Sequence, residues 1–307
     1  MKELTLHATR SAFDTISDSF TYIRLYYKSL AKMMSIFVLA PLLLGAILYG
    51  ASIATMFDFS AIMAGTEPDI DTMFTSFAGM GFGIFFLLIS IPLMVYVIYR
   101  HMALVSRGED PSAVGQYTDG MVMRMLNLIA FFALTGAAFF GFFFLLGFSL
   151  IALMDVWGVL MLFLLVFILF FSFATKLMMV PAAICMNGQN LFAAIGESFQ
   201  LTRGFFWTSL GVFLLAAILF SLLSQMVGTP FIIVGMLAGM AMPESSALYS
   251  ALFTAGYALL SVLQIFFTGG QLLAYGMHYF NLEERHAAVS LSSAVDALST
   301  EPVNHPE

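Results

Sequence analysis

Residues able to do chemistry are few in this 307-residue chain, and their spacing forms no catalytic set. The five histidines are His7, His101, His278, His286 and His305. None stands four residues from another, the spacing that puts two metal ligands on one helix face. His278, Glu283, Glu284 and His286 form the nearest cluster. Charged, amphipathic residues of that kind are also expected wherever a chain leaves a membrane, so no metal site is predicted. There is no Gly-x-Ser-x-Gly, no phosphate loop and no His-Glu-x-x-His. No catalytic residue and no cofactor is expected, and the chain reads as a non-enzyme. Gly79, Gly81 and Gly83 in FAGMGFG imitate a nucleotide loop, but they open a long apolar segment. Small residues four apart let membrane helices approach closely, and Gly79/Gly83, Ala137/Gly141 and Gly235/Gly239 share that spacing. Cys185 is the sole cysteine, which excludes an intrachain disulfide, and it reads as a small core residue.

The remaining polar groups inside apolar segments are mild: Asn127, Thr135, Ser172, Gln225, Gln264, Thr268 and Gln271. The last three follow steps of four and three, which places them on one helix face. This stripe predicts either contact with a polar ligand or interhelical hydrogen bonds, which contribute about 0.6 kcal/mol each. Ionisable residues at mid-depth would mark ion or proton pathways, and the apolar segments hold essentially none.

The elements that must carry these residues are membrane spans. Hydrophobic residues make up 61% of the chain and charged ones 9%, against roughly 25% charged in a soluble domain. The apolar runs exceed the ~18–20 residues that cross hydrocarbon. The predicted fold is an all-α polytopic integral membrane protein. It has six transmembrane helices in three hairpins, with amphipathic interfacial helices on the cytoplasmic side. The spans fall at about 33–57, 74–99, 125–151, 156–180, 205–227 and 248–276. Residues 1–32 form an N-terminal amphipathic region without the unbroken apolar core of a signal sequence, so the first span reads as an uncleaved anchor. Residues 277–307 read as an acidic, largely disordered cytoplasmic tail. Segment 228–247, bracketed by Pro230 and Pro243, is too short to cross twice and reads as a short helix at the outer interface. At the inner end of the fourth span, Lys176 is expected to snorkel to the headgroups.

All eleven Lys and Arg residues fall on one side of these spans: Lys2, Arg10, Arg24, Lys28, Lys32, Arg100, Arg107, Arg124, Lys176, Arg203 and Arg285. The other loops carry Asp58, Glu67, Asp69, Asp71, Asp155 and Glu244. The positive-inside rule then predicts both termini in the cytoplasm of a bacterial inner membrane. A net charge of -7 without a basic patch excludes nucleic acid as a partner. Membrane lipids are the expected partners, with other membrane subunits second.

Two surface segments repeat. Residues 13–27 read FDTISDSFTYIRLYY, and residues 192–206 read FAAIGESFQLTRGFF. One offset aligns Phe13/Phe192, Ile16/Ile195, Asp18/Glu197, Ser19/Ser198, Phe20/Phe199 and Arg24/Arg203. Each reads as an amphipathic helix with Ser11 or Asn190 as N-cap, acid early and base late. PSAVGQYTDGMVMR at 111–124 is a degenerate third copy that keeps an arginine at the matching offset. Such helices lie on a membrane surface and set the depth of the following hairpin. Arg24, Lys28, Glu197, Arg203 and Trp207 are therefore the candidate contacts for headgroups or a partner.

The run from Ile195 to Trp207, IGESFQLTRGFFW, resembles a family of six-span bacterial membrane proteins. That family includes the membrane domain found ahead of some glycerophosphodiester phosphodiesterases and many stand-alone proteins. RSAFDTISDSFTYIRLYYKSL and GMHYFNLEERHAA look like the two ends of that domain. The resemblance implies an α-helical bundle serving lipids or a membrane assembly. No phosphodiesterase domain follows, so the enzymatic label does not transfer. The expected role is a scaffold or accessory subunit, with a lipid-handling protein or transporter built on the Gln264–Thr268–Gln271 stripe as the alternative.

Overall fold

A computed structural model describes residues 5–56, 70–153, 156–241 and 246–300. The described residues form helices and no strand. The helices are α1 Ala12–Phe37, α2 Leu39–Met56, α3 Ile70–Ser106, α4 Gly115–Thr118, α5 Met121–Leu153, α6 Val156–Leu177, α7 Val180–Asn187, α8 Leu191–Thr202, α9 Phe206–Ala241 and α10 Ser246–Thr300. Six stretches are long and apolar enough to cross a membrane: Leu39–Met56, Ile70–Ser106, Met121–Phe144, Leu160–Asn187, Phe206–Gly235 and Leu248–Val289. The chain is a multi-pass, all-α membrane protein.

The surface helices start where their caps direct. Ser11 and Asp14 close a capping box on α1, with the Ser11 hydroxyl accepting from the Asp14 N–H at 3.2 Å. The Asn190 side chain accepts from the Ala193 N–H at 3.0 Å and caps α8. Val38 separates α1 from α2, so the first membrane stretch begins at Leu39 rather than Met33. Pro41 falls in the first turn of α2, where its missing N–H has no intrahelical partner to lose.

Helices α2 and α3 pack most extensively, followed by α2 with α10 and α9 with α10. The α5–α6 hairpin touches its neighbours lightly, and most of its apolar side chains face outward. The α2–α3 seam depends on glycine. A Cβ on Gly83 would lie 2.6 Å from the Tyr49 backbone nitrogen, and one on Gly45 would lie 2.9 Å from that of Leu87. Gly81 faces open space. The glycine run FAGMGFG is therefore a packing surface. The Ala137/Gly141 pair is not, because no neighbour lies within 4 Å of a Cβ at Gly141.

Two sequence expectations change. The first concerns 228–247, where α9 continues through Pro230 to Ala241 instead of breaking into a separate interfacial helix. Phe231 seats against Gly256 of α10, where a Cβ would meet its ring at 2.3 Å, and this packing carries the helix past the proline. The second concerns the tail. α10 runs on to Thr300, and Met277, His278, Tyr279, Phe280, Asn281 and Leu282 are buried rather than disordered. Their polar groups find partners on the N-terminal segment, α8 and α9, a tertiary fact that composition does not carry. The acidic residues Asp58, Glu67, Asp69, Asp155 and Glu244 lie outside the described residues.

Gly83→Ala should force α2 and α3 apart and cost about 1–3 kcal/mol. Gly81→Ala should be neutral or gain up to about 1 kcal/mol from helix propensity. Thermal unfolding of the two variants in detergent checks this, and equal effects would contradict the seam.

Candidate functional site

Polar residues at one end of the bundle tie α1, α3 and α10 together. The Asn281 side chain accepts from the Arg10 N–H at 2.8 Å and donates to the Arg10 carbonyl at 3.2 Å. Arg285 adds a second donor to that carbonyl at 2.8 Å. The Arg10 guanidinium pairs with Asp18 at 2.6 Å and donates to the carbonyls of Thr5, Leu6 and Ala8. The segment before α1 is thus a strap laid over α10 at Asn281 and Arg285.

His101 is fully buried between two helices of the same cap. Its Nδ1 lies 2.6 Å from the Tyr22 hydroxyl and its Nε2 2.9 Å from the Ser29 hydroxyl. Burial pushes the Tyr22 phenol well above its ordinary pKa, so it remains a donor. Nδ1 then accepts, Nε2–H donates to Ser29, and Ser29 donates to the Tyr26 carbonyl at 3.0 Å. His278 is satisfied in the same way, between Asn281 and Ser209. These buried histidines serve as joints. Among the described residues, no group of three or more His, Cys, Asp or Glu could hold a metal.

The two repeat copies share a pattern of burial. The aligned serines, Ser19 and Ser198, are both buried and both donate to backbone carbonyls, Ile16 in the first copy and Lys176 in the second. The aligned phenylalanines, Phe13 and Phe192, point outward, 76% and 79% exposed. Of the surface candidates, Arg24, Lys28 and Arg203 are exposed, and Trp207 is 80% exposed. Glu197 turns inward instead, accepting from the Tyr279 hydroxyl, Gln189 and Asn187. Lys176 sits with its ammonium 5.3 Å over the Phe199 ring.

Above this cap lies a cavity of about 920 Å³ between the α5–α6 hairpin and the rest of the bundle. It is near the upper end of the roughly 300–1,000 Å³ typical of small-molecule sites. α3 contributes Ile91, Met94, Val95 and Tyr99. Half of what α5 and α6 contribute is phenylalanine: Phe131, Phe132, Phe139, Phe142, Phe170 and Phe173. Pro181, Ile195 and Phe199 of α7 and α8 also line it. Among the described residues, no charged side chain lines it.

The polar atoms in the wall are few. Thr268 and Gln271 of the predicted stripe line the cavity, together with Thr135 and Tyr275. Gln264 does not, and its carbonyl accepts from the Thr268 hydroxyl at 3.0 Å. The Gln271 amide donates to the Tyr275 hydroxyl at 2.6 Å, which leaves the phenolic proton free to donate. The Tyr99 hydroxyl is buried without a hydrogen-bond partner. Sequence reasoning missed both tyrosines. Tyr275 stands one helical step of four beyond Gln271, so the stripe could have been extended to it. Tyr99 carries no such signal, because only the fold brings α3 to this wall.

No family model, curated protein or solved structure matches this chain.

Tyr22→Phe should strand the buried Nδ1 of His101 and cost about 1–3 kcal/mol, the price of an unpaired polar group. Tyr99→Phe removes a hydroxyl that has no partner and should leave the ligand-free protein unchanged or more stable. Melting curves of the two variants in detergent check the contrast, which fails if both lose equal stability.

Proposed function

We propose that this protein binds the apolar part of a lipid in the cavity beneath the α5–α6 hairpin and acts as a lipid-handling membrane protein. The supporting observation is the cavity itself: about 920 Å³, walled almost wholly by aromatic and aliphatic side chains. The cavity is half open, with Ile91, Leu134, Phe139 and Phe173 of its lining exposed, so an acyl chain has a way in from the bilayer. A chain of methylenes fits these walls. Thr135, Thr268, Gln271 and Tyr275 can meet the ester or hydroxyl groups at its polar end. This reading displaces the scaffold or accessory-subunit role that the sequence alone favoured.

The same proposal includes the setting. The positive-inside rule puts the capped, basic end in the cytoplasm, with both termini, in a bacterial inner membrane. The outward Phe13, Phe192 and Trp207 then enter the interface, where amphipathic helices and aromatic belts reside. Kinship with the six-span family belongs here too, supported by the Ile195–Trp207 run.

Native mass spectrometry after detergent exchange tests the reading. Wild-type protein should retain about one lipid per chain. Ala138→Trp and Ala174→Trp place bulk in the cavity and should reduce retention about tenfold. Leu164→Trp, on the outward face of α6, should not. Equal retention in all four proteins would refute the cavity as the binding site.

A further inference from the structure

Three arginines at the cap end stand apart from the others. Arg100 is 5% exposed, and Arg107 and Arg124 reach the same end of α7, at the Met186 carbonyl and at Gly188. No carboxylate among the described residues lies within 4 Å of any of the three arginines, whereas buried Arg10 has Asp18 at 2.6 Å. Their protein partners are only partial. Arg100 directs Nε and Nη2 at one acceptor, the Gln116 carbonyl, at 3.0 and 2.9 Å. Arg107 donates through Nη2 to the Met186 carbonyl at 2.9 Å. Arg124 has a buried Nη1 with no partner at all.

The surroundings of Arg124 are shaped to hold its guanidinium. Gly188 has φ +69°, and a Cβ there would lie 3.3 Å from Nη2 of Arg124. Gly120, φ +64°, lies on another side of the same group. In the two clear repeat copies the aligned Arg24 and Arg203 are exposed. In the degenerate copy Arg124 turns inward beside Tyr96. A guanidinium is always charged, and burying Arg100 and part of Arg124 without counter-charge is costly. A dianion or monoanion with tetrahedrally arranged oxygens relieves that cost and matches the guanidinium fork.

We infer that Arg100, Arg107 and Arg124 form a binding site for a phosphate group, either the headgroup phosphate of an anionic lipid or a free phosphate. The lipid source rests on the cavity reading. Tyr99 of the cavity wall immediately precedes Arg100, and Phe131 of the wall lies seven residues, about 10 Å along α5, beyond Arg124. A lipid with its phosphate on the arginines would therefore have its chains at the cavity. Asp110, the other nearby carboxylate on the α3–α4 loop, is occupied by Ser112, whose N–H and hydroxyl donate to it at 2.9 and 2.7 Å.

The test is thermal unfolding of the purified full chain in mild detergent with three probes: phosphatidylglycerol, diacylglycerol and inorganic phosphate. A ligand of the folded state raises the midpoint by linkage. Phosphatidylglycerol should raise it more than diacylglycerol does. R124Q should erase that excess, an affinity loss of about tenfold or more for a charge-assisted pair, and keep the diacylglycerol shift. R107Q alters an exposed residue and should give a smaller loss, which covers the case in which R124Q does not fold. Stabilisation of wild type but not R124Q by inorganic phosphate, with no excess for phosphatidylglycerol, assigns the site to free phosphate. Absence of both the excess and the phosphate shift overturns the site, as do shifts that both variants leave unchanged. A missing diacylglycerol shift overturns the cavity reading instead, and the inorganic phosphate result still judges the arginines.

Discussion

The pairing of the Asn281 side chain with both backbone groups of Arg10 joins the start of the described chain to its last membrane helix. A side-chain amide here does what a neighbouring β-strand would do, satisfying an N–H that would otherwise be buried unpaired and sharing the C=O with Arg285. The net contribution of such bonds is modest, but leaving either group unmade costs about 1–3 kcal/mol. Around this joint the cap assembles: Arg10 with Asp18, Tyr22 with His101, His278 with Ser209. Each links two elements through buried, mutually satisfied groups. Between membrane helices, where burial in lipid supplies little drive for association, hydrogen bonds and close packing must do this work.

The consequence is an asymmetric molecule. α2, α3, α9 and α10 are joined by tight packing, and the cap fixes their basic ends. The α5–α6 hairpin is held chiefly at that same end. Asn127 accepts from the Leu191 N–H at 3.2 Å, and Ser198 donates to the Lys176 carbonyl. Farther from the cap the hairpin presents phenylalanine to its neighbours without reaching them closely, and the cavity occupies the difference. Bulky, flat rings with no polar atoms suit a wall against which an acyl chain can lie. The arginines at the cap end and the apolar walls above them together have the polarity profile of a phospholipid.

Much of this was readable in the residues. Ser11 and Asn190 announced their helices because short polar side chains before an apolar periodic run have one good use, the N-cap. The six membrane stretches followed from length and apolarity alone. The repeat at 13–27 and 192–206 was visible as aligned residues, and the fold supplied its reason, since Ser19 and Ser198 sit at equivalent buried positions. Two of the three residues of the predicted stripe, Thr268 and Gln271, reached the cavity. What stayed hidden depends on contacts between distant segments. Pro230 signals a break locally, but Phe231 against Gly256 overrides it. His278 and Asn281 look like tail residues until the strap from Thr5 to Ser11 is laid over them. Tyr99 looks like one more aromatic of a span, and only the arrangement of α3 against the hairpin makes it part of a wall.

Photo-crosslinking measures the central claim most directly. A phospholipid carrying a diazirine partway down one acyl chain would be activated in membranes containing the protein, and the modified residues mapped by mass spectrometry. A lipid held beneath the hairpin predicts adducts on inward residues such as Phe132, Thr135, Phe170 and Gln271. Adducts confined to outward residues such as Phe140, Phe163 and Leu252 would show that lipid only surrounds the bundle, and would contradict the account.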